Sequence, residues 1–587
     1  MPVTTVNADT IRGIKMDISI RIGGAAGQGI QTISAIIAKT FVRHGYYVFI
    51  NQDFESRIRG GHNFDQVRIS NTPVQAPADR VHILIALNEE TTRKDIDCLA
   101  EDGVLLFDGE SIDFTSDEPH HLSVPFARIA SEAGKSKIMI NAVATGAAAA
   151  LLNFKLQPVL DGMHEQFQSR GAETVAKNQN CATAGYEFVR ENRPKESGFR
   201  VPSTQASRQK MLLTGSQAMA LGAMASGLKF YSGYPMSPAT TIMEFVSSQA
   251  DTYNIVLEQA EDEIAAINMV IGANFAGARA MTATSGGGFC LMVEALSLAG
   301  MTETPAVIVV AQRPGPSTGL PTRTEQADLN FVIHAGHGEF PRAILAPGHP
   351  AQAVHLMSKA FNLADKYQTP VIVLGDQHFN DAYFTVDELD LRAIKIERGQ
   401  ILNASDLPSP HEYSRYMAAE SGISPRILPG QTKAVLYADS DEHTEEGHIT
   451  ESATVRNQMM RKRMRKLEGI GREIDPPEIY PSGQAKLVLL GWGSTYGVLK
   501  ETVDILNQKN MAAQMIHYSE LFPFNQQHID TAALKKANIF AVENNYTGQF
   551  ADFFSQSTGL PVYQRILKYD GRPFTPGEII ERINGNK

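Results

Sequence analysis

Gly233-Tyr-Pro-Met-Ser-Pro238, Glu258-Gln-Ala-Glu-Asp-Glu-Ile264, Thr282-Ala-Thr-Ser-Gly-Gly-Gly288 and Gln312-Arg-Pro-Gly-Pro-Ser-Thr-Gly-Leu-Pro-Thr-Arg323 punctuate one region, from which the architecture can be worked out. Residues 228–231 read as a short strand that runs into a Gly-Tyr-Pro turn. Nearly every position from 263 to 276 is apolar or small, interrupted by Glu263, Asn268 and Asn274. A helix apolar on all faces is expected to be buried. Residues 279–285 are short and bounded by turn residues, hence a strand. Three glycines, a helical run over 289–301 and a strand over 305–311 follow. Strands alternating with helices predict an α/β fold, a doubly wound and mostly parallel sheet covered on both faces. Ligands in such sheets sit at the carboxyl ends of the strands. Here those are the turns after Tyr231, Ser285 and Ala311.

Glu258, Glu261 and Asp262 read as acids that complement the dipole at the start of a helix. Glu263 differs, because its C-terminal flank is apolar and a carboxylate in that setting needs a partner.

These motifs resemble the pyrimidine-binding domain of the 2-oxoacid:ferredoxin oxidoreductases. Tyr234-Pro-Met-Ser-Pro238 is similar to that family's Tyr-Pro-Ile-Thr-Pro motif. The resemblance implies that Tyr234, Pro235 and Glu263 bind thiamine diphosphate, with Glu263 as the catalytic carboxylate at the pyrimidine. It implies that Arg313 holds the 2-oxoacid carboxylate, assisted by Thr322. Ser237 stands where the family has Thr, keeping the hydroxyl and losing the methyl, and is the third substrate contact expected.

At 587 residues the length suggests roughly three to four domains. A net charge of −11 argues against a general nucleic-acid binder, and 43% hydrophobic with 20% charged residues is ordinary globular composition. No apolar run is long enough to span a bilayer, and Met-Pro-Val-Thr-Thr at the start lacks a basic-then-apolar signal. The three cysteines, Cys98, Cys181 and Cys290, are far apart. They form no disulfide framework, which fits a reducing cytoplasm, and they cannot supply the four close thiolates of an iron–sulfur cluster.

The first domain is expected over 1–190. A strand at 17–22, the glycine turn Gly23-Gly-Ala-Ala-Gly-Gln-Gly29 and an amphipathic helix at 30–44 make a phosphate-binding geometry. Gly24, Gly27, Gln28 and Gly29 are its candidate ligands. The spacing is not that of a dinucleotide site, although Asp53 lies near the distance of a ribose-binding acid, which keeps NAD as a rival. A turn that merely packs is the third reading. Arg57, Arg59, Gly60 and Gly61 form a basic glycine segment that suits phosphate or a solvated hairpin. Further strands are expected at 81–87, 104–108 and 137–140, and a helix at 142–152. The whole resembles the family's gamma domain, fused ahead of the alpha domain, which implies a role in handling coenzyme A.

Residues 191–210 read as a polar linker, 211–395 as the pyrimidine-binding domain and 396–480 as an irregular connecting segment. Within the last, 439–448 is expected as a solvated acidic loop, and 460–466 as a basic helix facing solvent or a partner. Gly375-Asp376 reads as a turn, not a magnesium motif, so this chain is expected to hold no metal. Residues 481–587 resemble the family's transketolase C-terminal-like α/β domain, with a largely structural role implied.

The resemblance implies an oxidoreductase active only with a beta subunit. That subunit would hold the Mg2+ and diphosphate of the cofactor and a [4Fe-4S] cluster. Ferredoxin is the implied acceptor, and an (alpha-beta)2 heterotetramer the implied assembly. Fusion order together with Arg313 and Thr322 favours 2-oxoglutarate; pyruvate or a branched-chain 2-oxoacid is the alternative. An NAD-binding or acyl-transfer module without thiamine chemistry is the alternative of another class.

Overall fold

The computed structural model describes residues 16–57, 59–193, 198–201, 210–407, 413–526 and 529–585. Most of the expected linker 191–210 and the N-terminal segment lie outside these residues. No described helix is long and apolar enough to cross a membrane. The chain divides into two compact units, Met1–Leu212 with Ala382–Glu388, and Leu213–Asp381 with Leu389–Lys587.

In the first unit the strand Asp17–Ala26 is antiparallel to Gly60–Ser70 and parallel to Val81–Ala86. Tyr47–Asp53 and Leu99–Phe107 extend the sheet on either side. Tyr383–Asp387 returns from far along the chain to pair with Tyr47–Asp53. The glycine turn is shorter than its sequence suggests, because the strand continues to Ala26. Glycine is required there by close neighbours: a Cβ on Gly23 would lie 2.4 Å from Thr91 Cγ2. Helix Ile30–Arg43 follows and buries Ile30, Ile33, Ile37 and Phe41. The strand expected at 137–140 is instead a 3-10 turn, Lys137–Met139, leading into helix Ile140–Leu151. Ser136 Oγ accepts the Ile138 N–H at 3.4 Å and starts that turn. So short an apolar run as Ile138-Met-Ile140 cannot be told from helix by periodicity.

The larger sheet of the second unit runs in the order Glu520–Phe522, Ala343–Leu345, Pro370–Asp376, Ala306–Gln312, Ala280–Thr284, Phe230–Gly233, Val256–Gln259. The pairs are parallel apart from Glu520–Phe522 with Ala343–Leu345. Ala306–Gln312 is buried at every position, as a strand covered on both faces must be. Gly375-Asp376 is not a turn: it completes the strand, opposite Ala311 and Gln312. The glycines 286–288 form the first turn of helix Gly286–Met301.

Helix Glu263–Phe275 departs from the expectation of burial on all faces. Glu263, Ala266, Ile267, Val270, Ile271 and Asn274 point inward, while Ile264 and Met269 are 49% and 41% exposed. The smaller sheet contains Glu478–Tyr480, Ala513–Tyr518, Leu487–Trp492, Asn538–Glu543 and Gln564–Leu567. The two sheets share one apolar core, in which Ile308, Val310 and Ile372 join Val488, Leu490, Ile516 and Phe550.

The segment 396–480 is not irregular throughout, since Ala453–Glu473 is a helix of 21 residues. Its basic run faces solvent only in part: Arg461 and Arg465 are exposed, whereas Lys462, Arg463 and Lys466 are buried. Lys462 and Lys466 each place Nζ 2.5 Å from a carboxylate oxygen of fully buried Glu303. Arg463 meets Glu442 through two nitrogens at 2.9 and 2.7 Å. Glu442 belongs to the acidic stretch 439–448, where His443 is fully buried while Asp441, Glu446 and His448 are exposed, so that stretch is solvated only in part. The two lysines hold the Glu303 carboxyl well below the usual carboxylate range against the opposing effect of burial. Breaking a buried ion pair from one side strands the other charge. Glu303→Gln is therefore expected to cost about 3–5 kcal/mol of stability, read by denaturant unfolding. An unchanged midpoint would show that the lysines find other acceptors.

Candidate active site

Four parallel strands end together. Gly233, Thr284, Gln312 and Asp376 close Phe230–Gly233, Ala280–Thr284, Ala306–Gln312 and Pro370–Asp376. Three of the segments singled out in the sequence leave from the first three of these ends, and the segment from Glu258 leaves from the end of Val256–Gln259.

Tyr234, Pro235 and Ser237 follow Gly233 and are exposed, Tyr234 at 39%. The Ala239 N–H donates to Met236 O at 2.8 Å and folds the segment into a turn. Ser285 Oγ lies 2.7 Å from Met236 Sδ and ties that turn to the end of the neighbouring strand.

Glu263 is the first residue of its helix, and Asp262 caps it by accepting the Ala265 N–H at 2.8 Å. Glu258 and Glu261 are exposed, whereas Glu263 is 2% exposed. Its hydrogen bond is a long one, from Thr284 Oγ1 to Oε1 at 3.4 Å. A Cβ on Gly288 would lie 2.4 Å from Glu263 Oε1 and 2.0 Å from Thr284 Oγ1, so glycine there leaves room for the carboxylate. A buried carboxylate held by one long bond has unused capacity for a further polar group. An aminopyrimidine with a ring nitrogen facing Glu263 fits that capacity.

Arg313 emerges from the next strand end, half-buried, and its Nη1 donates to Ser237 O at 2.8 Å. Arg313 and Ser237 are thereby brought together from strands separated by Ala280–Thr284. Burial lowers the guanidinium pKa from its ordinary value. Thr322 stands further along the same loop and is half-buried. The loop folds back on itself, with Leu320 N–H donating to Pro314 O at 3.1 Å. Gly319, at φ +53°, makes the fold possible: a Cβ there would lie 1.8 Å from Pro314 O.

Several residues of this site carry no signal of their own in the sequence. Gln312 Oε1 accepts the Asp328 N–H at 3.0 Å and its Nε2 donates to Gly375 O at 3.0 Å, closing the base of the loop. Asp328 presents its carboxyl to Gly286, and burial pushes it up to about 6. Thr284 and Gly288 frame Glu263. The closest hint was the Thr-Ser-Gly-Gly-Gly run, in which the need for glycine at 288 was unexplained.

The glycine turn lies in the first unit. Gln28 Oε1 accepts the Ala25 N–H at 2.6 Å and Nε2 donates to Leu87 O at 3.2 Å, so this side chain shapes the turn itself. Gly24 is in the strand, where a Cβ would lie 3.1 Å from Leu87 Cβ. Gly29, at φ +81°, starts the helix against Asn141. Gly27, at φ +92°, is the open position: a Cβ there meets nothing within 4 Å, and the same holds for Gly60. Asp53 is buried at the end of Tyr47–Asp53.

The chain is similar to known proteins along nearly its whole length. A family described as "Pyruvate flavodoxin/ferredoxin oxidoreductase, thiamine diP-bdg" matches residues 221–462, and "Pyruvate ferredoxin/flavodoxin oxidoreductase" matches 19–188. A 2-oxoacid:ferredoxin oxidoreductase subunit alpha from Sulfolobus sp. is 34% identical, over 97% of this chain and 96% of its own. A 2-oxoglutarate oxidoreductase subunit from Mycobacterium tuberculosis is 27% identical, over 96% of this chain and 90% of its own. A solved 2-oxoglutarate:ferredoxin oxidoreductase from Magnetococcus marinus superposes with a TM-score of 0.90 at 32% identity. It covers 97% of this chain and 99% of that one, and was determined with 2-oxoglutarate, coenzyme A and succinyl-CoA bound. With the thiamine-type domain, the preceding domain and near-complete coverage all in agreement, this chain belongs to the 2-oxoacid:ferredoxin oxidoreductases, as an alpha subunit.

Proposed function

We propose that this subunit, paired with a beta subunit, oxidatively decarboxylates 2-oxoglutarate with coenzyme A to succinyl-CoA and carbon dioxide. Two electrons pass to ferredoxin, and the same site serves the reverse carboxylation. The observation that carries this reading is buried Glu263, with its spare capacity, lying against Thr284 on the strand beside the one that leads to Arg313. Glu263, Tyr234 and Pro235 would hold thiamine diphosphate, which would supply the nucleophilic carbon and the electron sink for decarboxylation. Glu263 holds a proton at the pyrimidine nitrogen. Arg313 offers a planar fork to the substrate C1 carboxylate. Ser237 and Thr322 contribute hydroxyls to the same carboxylate site.

The beta subunit is proposed to hold Mg2+, the diphosphate and a [4Fe-4S] cluster, in an (alpha-beta)2 heterotetramer in the cytoplasm. The substrate proposal rests on the Magnetococcus and Mycobacterium relatives, both named for 2-oxoglutarate. Rates of the purified two-subunit enzyme with 2-oxoglutarate, pyruvate and branched-chain 2-oxoacids test it. A higher kcat/KM for pyruvate would reassign the substrate and leave the chemistry in place.

The first unit is proposed to bind the pyrophosphate of coenzyme A at Gly27, whose open, left-handed backbone supports close approach by a phosphate. Gly27→Ala puts a methyl group into that space and strains the backbone. It is expected to raise the KM for coenzyme A by about tenfold, consistent with loss of one or two hydrogen bonds to a charged group. Cluster reduction by 2-oxoacid without coenzyme A should stay near normal. Loss of both steps in a folded enzyme would assign the turn to assembly, and tight NAD binding abolished by the substitution would assign it to a dinucleotide.

A further inference from the structure

The loop that carries Arg313 and Thr322 does not stand alone. Beyond Thr322 it runs into Gln326, which is fully buried and bonded through both backbone and side chain to the C-terminal sheet. The Gln326 N–H donates to Asn544 O at 2.6 Å, and the Asn544 N–H donates back to Gln326 Oε1 at 3.1 Å. Gln326 Nε2 donates to Trp492 O at 2.9 Å, and Asn545 Nδ2 donates to Gln326 O at 3.0 Å.

The groups that hold Gln326 are themselves fixed. Fully buried Glu543 takes the N–H groups of Phe550 and Ala551 at 2.9 Å each, Asn545 Nδ2 at 2.9 Å and Trp492 Nε1 at 3.3 Å. Flanking bonds run the same way: Thr324 N–H to Gly571 O at 3.2 Å, and Gln549 Nε2 to Ala327 O at 2.7 Å. Upstream, Gln312 fixes the other end of the loop through the Asp328 N–H. The segment 313–323 is thus suspended between its own strand and the C-terminal sheet.

We propose that Gln326 is a positioning residue for the 2-oxoacid, through which the C-terminal domain sets the place of Arg313 and Thr322. This rests on the assignment of Arg313 to the substrate carboxylate. It gives the C-terminal domain a part in substrate affinity that its distance in sequence from Glu263 and Arg313 conceals. The physical basis is preorganisation: a guanidinium fork binds a carboxylate bidentately only when its backbone is held.

The test uses the assembled two-subunit enzyme. Gln326→Met keeps the side chain's length and removes its donor and acceptor. The KM for 2-oxoglutarate should rise roughly tenfold, with kcat, the KM for coenzyme A and the affinity for thiamine diphosphate each within about twofold. In the double variant with Arg313→Met, Gln326→Met should add little further loss, because its effect is exerted through Arg313. An unchanged KM, or losses that multiply fully, would overturn the proposal. If Arg313→Met alone leaves kcat/KM unchanged, the assignment of the carboxylate fails, and the Gln326 result cannot rescue it. Should Gln326→Met fail to assemble, Gln326→Glu decides. In that variant a protonated carboxyl can still donate to Trp492 O and accept from the Asn544 N–H, whereas the ionised form cannot donate. The ratio of its KM to that of the wild type should therefore grow as pH rises; a flat ratio overturns the proposal.

Discussion

Glu263→Ala in the assembled enzyme is expected to lower kcat for 2-oxoacid decarboxylation by roughly 10³-fold, the range in which a positioned acid–base group contributes. Folding should survive. The carboxylate is 2% exposed and is held by one hydrogen bond of 3.4 Å, so its removal relieves a poorly compensated burial. The melting temperature should hold or rise, as when buried charge is replaced by apolar surface. Glu263→Gln separates charge from packing. It fills the same space beside Gly288 and Thr284 but cannot share a proton with a ring nitrogen, so it should be nearly as inactive as Ala. Single-turnover rates and calorimetric titration of thiamine diphosphate check both variants. Wild-type turnover in either one would move the acid–base role to another residue.

What the sequence revealed about this site and what it concealed follow from the range of the interactions involved. Glu263 was visible because its helix is locally odd, with an acid opening an otherwise apolar run. The parallel character of the larger sheet was implicit in strands alternating with helices. The family resemblance then singled out Arg313, Ser237 and Thr322. By contrast, Gln326 is an ordinary polar loop residue until Trp492, Asn544 and Asn545 are placed around it, 166 to 219 positions away. The basic helix was misjudged for the same reason: Lys462 and Lys466 look solvent-facing until Glu303, far upstream, is brought beneath them. Local patterning also misled at 263–276. Its all-round apolarity predicts burial on every face, yet Ile264 and Met269 face outward.

The second large effect is expected at Arg313. Arg313→Met keeps most of the apolar stem and removes the fork, so the change falls on charge and hydrogen bonding rather than on volume. Loss of a charge-assisted, desolvated pair costs about 2–5 kcal/mol, which corresponds to roughly 30- to 5,000-fold in kcat/KM for the 2-oxoacid. Its Nη1 also donates to Ser237 O at 2.8 Å, and that bond ties the Tyr234–Pro238 turn to the loop after Gln312. Two consequences are therefore separable. If Arg313 only ordered the turn, Arg313→Lys would restore the donor to Ser237 O and recover activity almost fully. If it holds the carboxylate as a planar fork, the lysine variant should recover only part of kcat/KM, because an ammonium is a point charge and cannot bind bidentately. Thiamine diphosphate affinity should change little in the lysine variant, which keeps a donor for Ser237 O beside Tyr234 and Pro235. Full recovery by lysine would leave Ser237 ordering as the role of Arg313, and an unchanged kcat/KM in the Met variant would show that another cation holds the substrate.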